Sequence, residues 1–551
     1  MTETVSSDTV PAPAPAVPPA AAVRRRRVAL GLGALLAVIV ALAVVLTGGG
    51  GGGKGPPTGA AALVPSDALA YVNVALSRRR PAVRQALAVA ARFPDFPLAA
   101  LAVERRLTAI VAGGQSAALD QISPWLGSEA ALALLNTPTS TAGSLIVLDV
   151  RDRARAAAFV RAHGAAAVGS YRGTALLRYG TGAELAFVSH YLVLGQDASV
   201  RAAIDVAAGR TASLAGSGVY RRATAAEPPG RVLDAYASLA GVRRVLAPQG
   251  GVVGAIGSLL YQPALQGVAL SLTPTAQGAR MQIHSALDPS LTRLNPPATS
   301  VFTPTLASVM PAGSILMFDV SGLDRVAPSV LNAGAAAGVA GGLGPLLTRL
   351  GGALTAEGVN VRQLTSIFRP ETAVAIVPHA GRPALVLVAR ARHEAQTRTE
   401  LASAEVPLAQ LFTPASSSGP GKIPVFNDRT VDGVTAHQLQ LANGFELDYG
   451  VFRGLVVIST SLDGVAAIAA HSHPLAVDPG FRFALGSRPR RITALVYLDV
   501  GRLLTLGEQT GLTGSATYRL LRSDLAKITA VGLSSTRSSS ATDSELAIHI
   551  P

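Results

Sequence analysis

The chain has 551 residues, no cysteine, a formal charge of +14, 49% apolar residues and only 4% aromatics. That length exceeds one ordinary core and asks for two or more domains, built mainly from Ala, Val and Leu. The lack of cysteine excludes disulfides, thiolate metal sites, a cysteine nucleophile and a lipid-modified cysteine, and 56 Gly with 36 Pro argue against an all-helical fold.

Residues 1–27 carry Pro11-Ala12-Pro13-Ala14-Pro15-Ala16 and Pro18-Pro19, then Arg24 to Arg27 without a break. A stretch so poor in bulky apolar groups reads as a disordered tail. Val28–Thr47 follows as twenty residues with no charge. At a helical rise of about 1.5 Å per residue it reaches roughly 30 Å, the thickness of a bilayer's hydrocarbon core. Four arginines precede this run and only Lys54 follows it closely, which places the N-terminus in the cytoplasm and the rest outside. A buried core helix and a cleaved signal peptide, with Ala41-Leu42-Ala43 as the cleavage site, are the competing readings. The run continues through that tripeptide and exceeds a signal core, which favours an anchor. Residues 48–62, with Gly48–Gly53 and Pro56-Pro57, read as a flexible tether.

Beyond the tether, residues 63–300 and 301–551 read as two similar halves. Val64-Pro65-Ser66-Asp67 before the strand Ala70–Leu76 is echoed by Met310-Pro311-Ala312-Gly313 before Ile315–Val320. Glu129 before the strand Ala130–Leu135 is echoed by Glu371 before Ala373–Val377. The strand Leu145–Val150 with the charged helix Arg153–His163 matches Ala384–Ala389 with Arg392–Ala402. Tyr171-Arg172-Gly173-Thr174 matches Val431-Asp432-Gly433-Val434, and Val219-Tyr220-Arg221 matches Gly480-Phe481-Arg482. Val268–Leu272 pairs with Ala530–Ser534, and Met281–Ser285 with Glu545–His549. Leu192–Gly195 followed by Asp197 reads as a strand running into a helix cap, with Gly209 as the stop. Strands joined by short turns, as at Gly180-Thr181-Gly182, pair antiparallel. The expected class is α+β: two tandem similar halves, each a mostly antiparallel sheet with helices packed on one side, preceded by one transmembrane helix. Gly250–Tyr261 and Ala333–Leu350 are soft and apolar, as buried helices are, or as helices lining an apolar cleft or resting on a membrane.

Val64-Pro65-Ser66-Asp67-Ala68-Leu69-Ala70-Tyr71, Arg92-Phe93-Pro94-Asp95-Phe96 and Pro124-Trp125-Leu126-Gly127-Ser128-Glu129 resemble an actinobacterial family of membrane-anchored proteins, domain of unknown function number 3352. The resemblance covers most of the chain after the tether and implies a place in a Gram-positive envelope. It brings no activity and therefore no functional residue.

Candidate chemistry is sparse. His471-Ser472-His473 puts two histidines on one face of an extended segment, near Asp463 and Asp478, but supplies no third ligand at metal spacing. Glu129 and Glu371 are matched carboxylates, suited to acid–base work or to capping the same turn twice. Gly113-Gly114-Gln115-Ser116 lacks a phosphate-binding lysine, and Ala215-Gly216-Ser217-Gly218 is not a strand–elbow–helix. Arg78-Arg79-Arg80 and Arg488-Pro489-Arg490-Arg491 lack interleaved aromatics, so anionic lipid or wall polymer fits them better than nucleic acid. No catalytic residue, cofactor site or metal site is assigned. The sequence reads as a single-pass extracytoplasmic envelope protein with a binding or structural role, held in the bilayer by Val28–Thr47. Its partners would be anionic lipid, wall polymer or another envelope protein. A carrier of an apolar or lipid ligand and an enzyme with an unrecognised site are the alternatives.

Overall fold

The computed structural model describes residues 58–115, 119–136, 143–180, 182–246, 262–294, 300–323, 325, 366–378, 383–411, 424–441, 446–514 and 516–551. The tail 1–27, the run Val28–Thr47, the tether up to residue 57 and the segments Gly250–Tyr261 and Ala333–Leu350 lie outside the described residues. No helix among the described residues is long and apolar enough to cross a membrane. The end of the expected tether is packed chain: Gly59–Leu63 forms a short 3-10 helix with Ala60, Ala61 and Leu63 buried.

Among the described residues, twenty strands form one antiparallel sheet. The first ten are β1 (Ala70–Ala75), β2 (Leu126–Leu135), β3 (Gly143–Val150), β4 (Ala166–Tyr171), β5 (Thr174–Arg178), β6 (Glu184–Val188), β7 (Tyr191–Gly195), β8 (Leu233–Ser238), β9 (Leu265–Thr275) and β10 (Gly278–Leu287). They lie side by side as β4-β5-β6-β7-β3-β2-β1-β8-β9-β10. The second ten are β11 (Leu316–Ser321), β12 (Glu371–Val377), β13 (Ala384–Arg390), β14 (Phe426–Val431), β15 (Val434–Gln440), β16 (Glu446–Phe452), β17 (Leu455–Ser459), β18 (Ala494–Asp499), β19 (Ala530–Arg537) and β20 (Ala541–His549). Their order, β14-β15-β16-β17-β13-β12-β11-β18-β19-β20, repeats that of the first ten.

The two sets meet edge to edge, β10 against β20, from Gly278 opposite His549 to Ala286 opposite Ala541. Each edge strand thereby satisfies the other's free N–H and C=O groups, which an exposed edge would leave open to stray pairing. Within this ladder Val268 corresponds to Val531 and Met281 to Ser544, one residue away from the expected matches. Matching turns help set the register. Arg172-Gly173 and Asp432-Gly433 have φ of 52° and 79°, and of 47° and 76°. Two successive positive φ values make the two-residue hairpin turn whose twist suits antiparallel strands.

Helices cover both faces, which corrects the one-sided packing expected. Ala131, Ala133, Val147 and Val193 pack with Val200, Ile204 and Tyr220 of the helices Asp197–Ala207 and Gly218–Thr224. Ala130, Leu148, Leu192 and Leu194, alternating with them along the same strands, pack with Phe159 and Val160 of the helix Arg153–Ala162. In the second set Val386, Val388 and Val457 face Val465, Ile468 and Phe481, while Ala389 and Val456 face Leu401. Strand runs such as Tyr191–Leu194 are buried throughout, so no face is left to alternate with solvent. A second correction concerns the helix after β7. Gln196 is its N-cap and Asp197 its first residue, where the carboxylate pairs with Arg201 at 2.5 Å.

Candidate functional site

Glu129 and Glu371 occupy the same ladder position, opposite Ala75 and Ser321. Each turns inward to a short helix that precedes the first strand of its set. Glu129 Oε1 accepts from the Ala60 N–H at 3.2 Å and from the Tyr191 hydroxyl at 2.6 Å. Glu371 accepts from the N–H groups of Thr305 and Leu306, the latter at 2.8 Å, and from the Thr305 hydroxyl at 2.5 Å. Helix-start N–H groups have no partner within their own helix, so a buried carboxylate there is a cap. The two glutamates sit in separate sets and do not form an acid–base pair.

A different feature joins the sets. Directly opposed residues run across eight strands in one polar row: Asn73, Asp234, Ser271, Gln282, Glu545, Ser534, Leu495, Asp319. Only Leu495 interrupts it. Gln282 and Glu545, the pair at its centre, stand at corresponding positions, so the row is laid out symmetrically about the seam. Polar atoms placed beneath helices are costly unless paired.

The two arms of the row meet that demand differently. In the first, Arg231 bonds Asp234 through Nε and approaches Glu227 Oε2 at 3.0 Å. Arg80 lies beside them, donating to the carbonyls of Pro229 and Arg231 at 3.3 Å. Burial, and then the neighbouring Asp234, push Glu227 up to about 8 against the pull of Arg231. Asp234 is likewise raised, by burial first. In the second arm Asp319 is 0% exposed and neither of its oxygens has a well-formed hydrogen bond. Burial, then Glu371 beside it, push its carboxyl up to about 9, with Arg488 opposing. At the corresponding position, Asn73 supplies a side-chain hydrogen bond to Glu129.

Above the centre of the row lies a groove of about 240 Å³, walled by Glu227 on one side and Pro489 on the other. Its floor comes from β9, β10, β19 and β20, so both sets build it. The Arg280 guanidinium holds Glu545 at 2.6 Å, Gln282 donates to the same carboxylate at 3.3 Å, and His284 meets Asp543 at 2.5 Å. Two of the lining residues each carry a buried oxygen without a partner, the Ser271 hydroxyl and Glu227 Oε1. The arrangement suits hydrogen bonding to a small polar group. It presents no nucleophile–base pair.

The residues singled out from sequence scatter. His471 and His473 are exposed, and His471 ends the helix Leu462–Ala470 with φ 46°. Asp478, one of their expected partners, caps the helix Pro479–Leu485 instead. Among the described residues no three His, Cys, Asp or Glu side chains gather as a metal site. Gly113 packs on the Tyr179 ring, and Ser217 caps the helix Gly218–Thr224. The two arginine clusters divide: Arg78, Arg79, Arg490 and Arg491 stay at the surface, whereas Arg80 and Arg488 turn in toward the polar row. Sequence reading missed the row itself. Its signal is a polar residue every second position in a strand otherwise apolar, as in Arg280-Met281-Gln282-Ile283-His284.

The family model described as "Protein of unknown function (DUF3352)" matches residues 28–550. No curated protein matches the chain. Among solved structures, crystal form I of TP0453 is 12% identical with a TM-score of 0.26, covering 44% of this chain and 87% of that one. Crystal form IV of the same protein is 14% identical with a TM-score of 0.23, covering 43% and 88%. The chain therefore belongs to the DUF3352 family.

Proposed function

We propose that this DUF3352 member is a single-pass protein of the cell envelope, of actinobacterial type, whose outer region is two tandem copies of one α+β unit and whose seam binds a polar ligand without transforming it. The observation that carries the reading is the groove at the seam, floored by strands of both sets and lined by buried polar atoms that lack partners. Tandem copies account for the repeated strand order, the matched caps at Glu129 and Glu371 and the matched turns at Gly173 and Gly433. The anchor rests on the uncharged run Val28–Thr47 behind Arg24–Arg27, with the N-terminus cytoplasmic. The family match begins at residue 28 and so takes in that run.

Two measurements on the full chain test this. It should remain with membranes through high-salt and alkaline washing; a released protein whose N-terminus starts near Ala43 or Gly48 overturns the anchor. In detergent micelles, pentane-1,5-diol or cadaverine should raise the thermal midpoint, and Ser271→Val should abolish the shift. A shift with decanoate alone, indifferent to Ser271→Val, would replace the polar seam with an apolar carrier.

A further inference from the structure

Resting on the seam reading, we propose that the groove is a receptor for a primary ammonium group, which docks on the free oxygen of Glu227 and the Ser271 hydroxyl in competition with a proton. The Glu227 side chain is 7% exposed, and its Oε2 is held by Arg231 while Oε1 has no partner. Ser271, on the floor beside it, is 1% exposed with its hydroxyl equally unpartnered. Two orphan oxygens, one on the wall and one on the floor of the same groove, ask for a donor with more than one N–H, and an ammonium carries three. The carboxylates of Asp543 and Glu545 also line the groove, which has no lysine or arginine in its lining, although Arg280 pairs with Glu545 and His284 meets Asp543. On a chain of +14 the preference for a cation would come from the groove's own oxygens and not from the whole molecule.

The groups facing Glu227 define the competition. Arg231 in its own loop attracts the charged form and Asp234 on β8 disfavours it, while the Tyr220 phenol on the helix Gly218–Thr224 stays protonated beside them. Arg80 lies behind Asp234. Across the floor are the pairs His284–Asp543 and Arg280–Glu545. Burial outweighs Arg231, so at neutral pH the carboxyl holds a proton in the empty groove. An arriving ammonium replaces it: the Glu227 O–H bond breaks, the proton goes to solvent, and the carboxylate pairs with the cation. Affinity should therefore rise with pH up to about 8, where the empty groove loses that proton unaided, and level off above.

The test is calorimetry on the full chain in micelles between pH 6 and 9, with three probes. Cadaverine stands for a free amine, N-acetyl-lysine methylamide for a peptide-borne one, and pentane-1,5-diol for a hydroxyl ligand of the same length. The expected result is that at least one amine binds about tenfold or more tighter than the diol, with affinity rising up to about tenfold per pH unit below pH 8. Which amine binds identifies the source. Glu227→Gln should remove both the amine preference and the pH slope. Because that variant also loses the Arg231 pair, proton release by the unmodified chain, measured in buffers of different ionisation enthalpy, provides an independent reading. Diol binding equal to that of both amines, or a flat pH profile, overturns the ammonium receptor and leaves the polar seam standing. No binding by any probe overturns both.

Discussion

The two strand sets share a backbone plan and differ where side chains meet beneath the helices. Asn73 of the first is Asp319 in the second, Asp234 is Leu495, and Glu227 is Arg488. In the first set two carboxyls lie beside two arginines and an amide that can donate. In the second, one carboxyl is buried against another with Arg488 nearby. Strand order and turns tolerate little change, because a one-residue slip would turn every side chain to the wrong face. A buried polar cluster can be rebuilt piecemeal as long as charge and hydrogen bonds close locally. The groove, with Glu227 on one wall and Pro489 on the other, inherits that asymmetry from its two flanks.

The largest expected effect tests how far the sets match in the outer core. Trp125 and Ile367 each lie four residues before the capping glutamate, and both are buried. Trp125 packs on Phe159 at 5.6 Å between ring centroids, whereas Ile367 sits with Leu401 and Tyr449. Trp125→Ala should cost about 3–5 kcal/mol and Ile367→Ala about 2–5 in urea unfolding. Separate transitions for the two variants would mean that the sets unfold independently. One shared transition would mean that the β10–β20 ladder couples them.

A smaller effect isolates the difference at the ends of the row. Asp319 is raised to about 9 in the folded chain, against about 4 for an unfolded aspartate. The folded state thus holds its proton more tightly. The stability this confers is complete below about pH 4, declines as pH rises, and is gone above about 9. Asp319→Asn supplies a permanent donor to Glu371, as Asn73 does for Glu129. It should stabilise the chain by about 1–3 kcal/mol at pH 8 and by little at pH 4. The reciprocal Asn73→Asp should give the first set a new loss of stability with rising pH. Thermal midpoints across that range decide the matter, and an unchanged gap between Asp319→Asn and the parent at pH 4 and pH 8 would remove the buried proton from the account.

Much of this plan was legible beforehand because it is written in local patterns. Apolar runs bounded by Gly and Asp mark the strands, and Arg172-Gly173 and Asp432-Gly433 mark corresponding hairpins. Glu129 and Glu371 could be matched by eye, since each follows a turn signal at the head of a strand. Three things were not legible. Packing on both faces depends on which strands become central, which pairing decides. The one-residue error at β9 and β10 arose because smooth apolar strands carry no internal marker of register. The polar row needs four cross-strand pairings to bring Asp234, Ser271, Gln282, Glu545 and Ser534 into line, and no sequence window contains them together.

The smallest expected effect asks whether the correspondence extends to the outer hairpins, far from the seam. Gly173 and Gly433 have φ of 79° and 76°, and a Cβ built on either would meet nothing within 4 Å. Replacement by alanine therefore costs backbone strain alone, without a clash or a lost contact, and a left-handed residue with a side chain is penalised by roughly 1 kcal/mol. Both Gly173→Ala and Gly433→Ala should lose that amount, equally within error. The hairpins β4–β5 and β14–β15 stand at opposite ends of the twenty-stranded sheet, so the double variant should lose the sum, about 2 kcal/mol. Inequality of the single variants would show that one hairpin bears load the other does not. A double variant losing much more or less than the sum would mean that strain passes from one end of the sheet through the β10–β20 seam to the other, and the two sets would then have to be treated as one mechanical body.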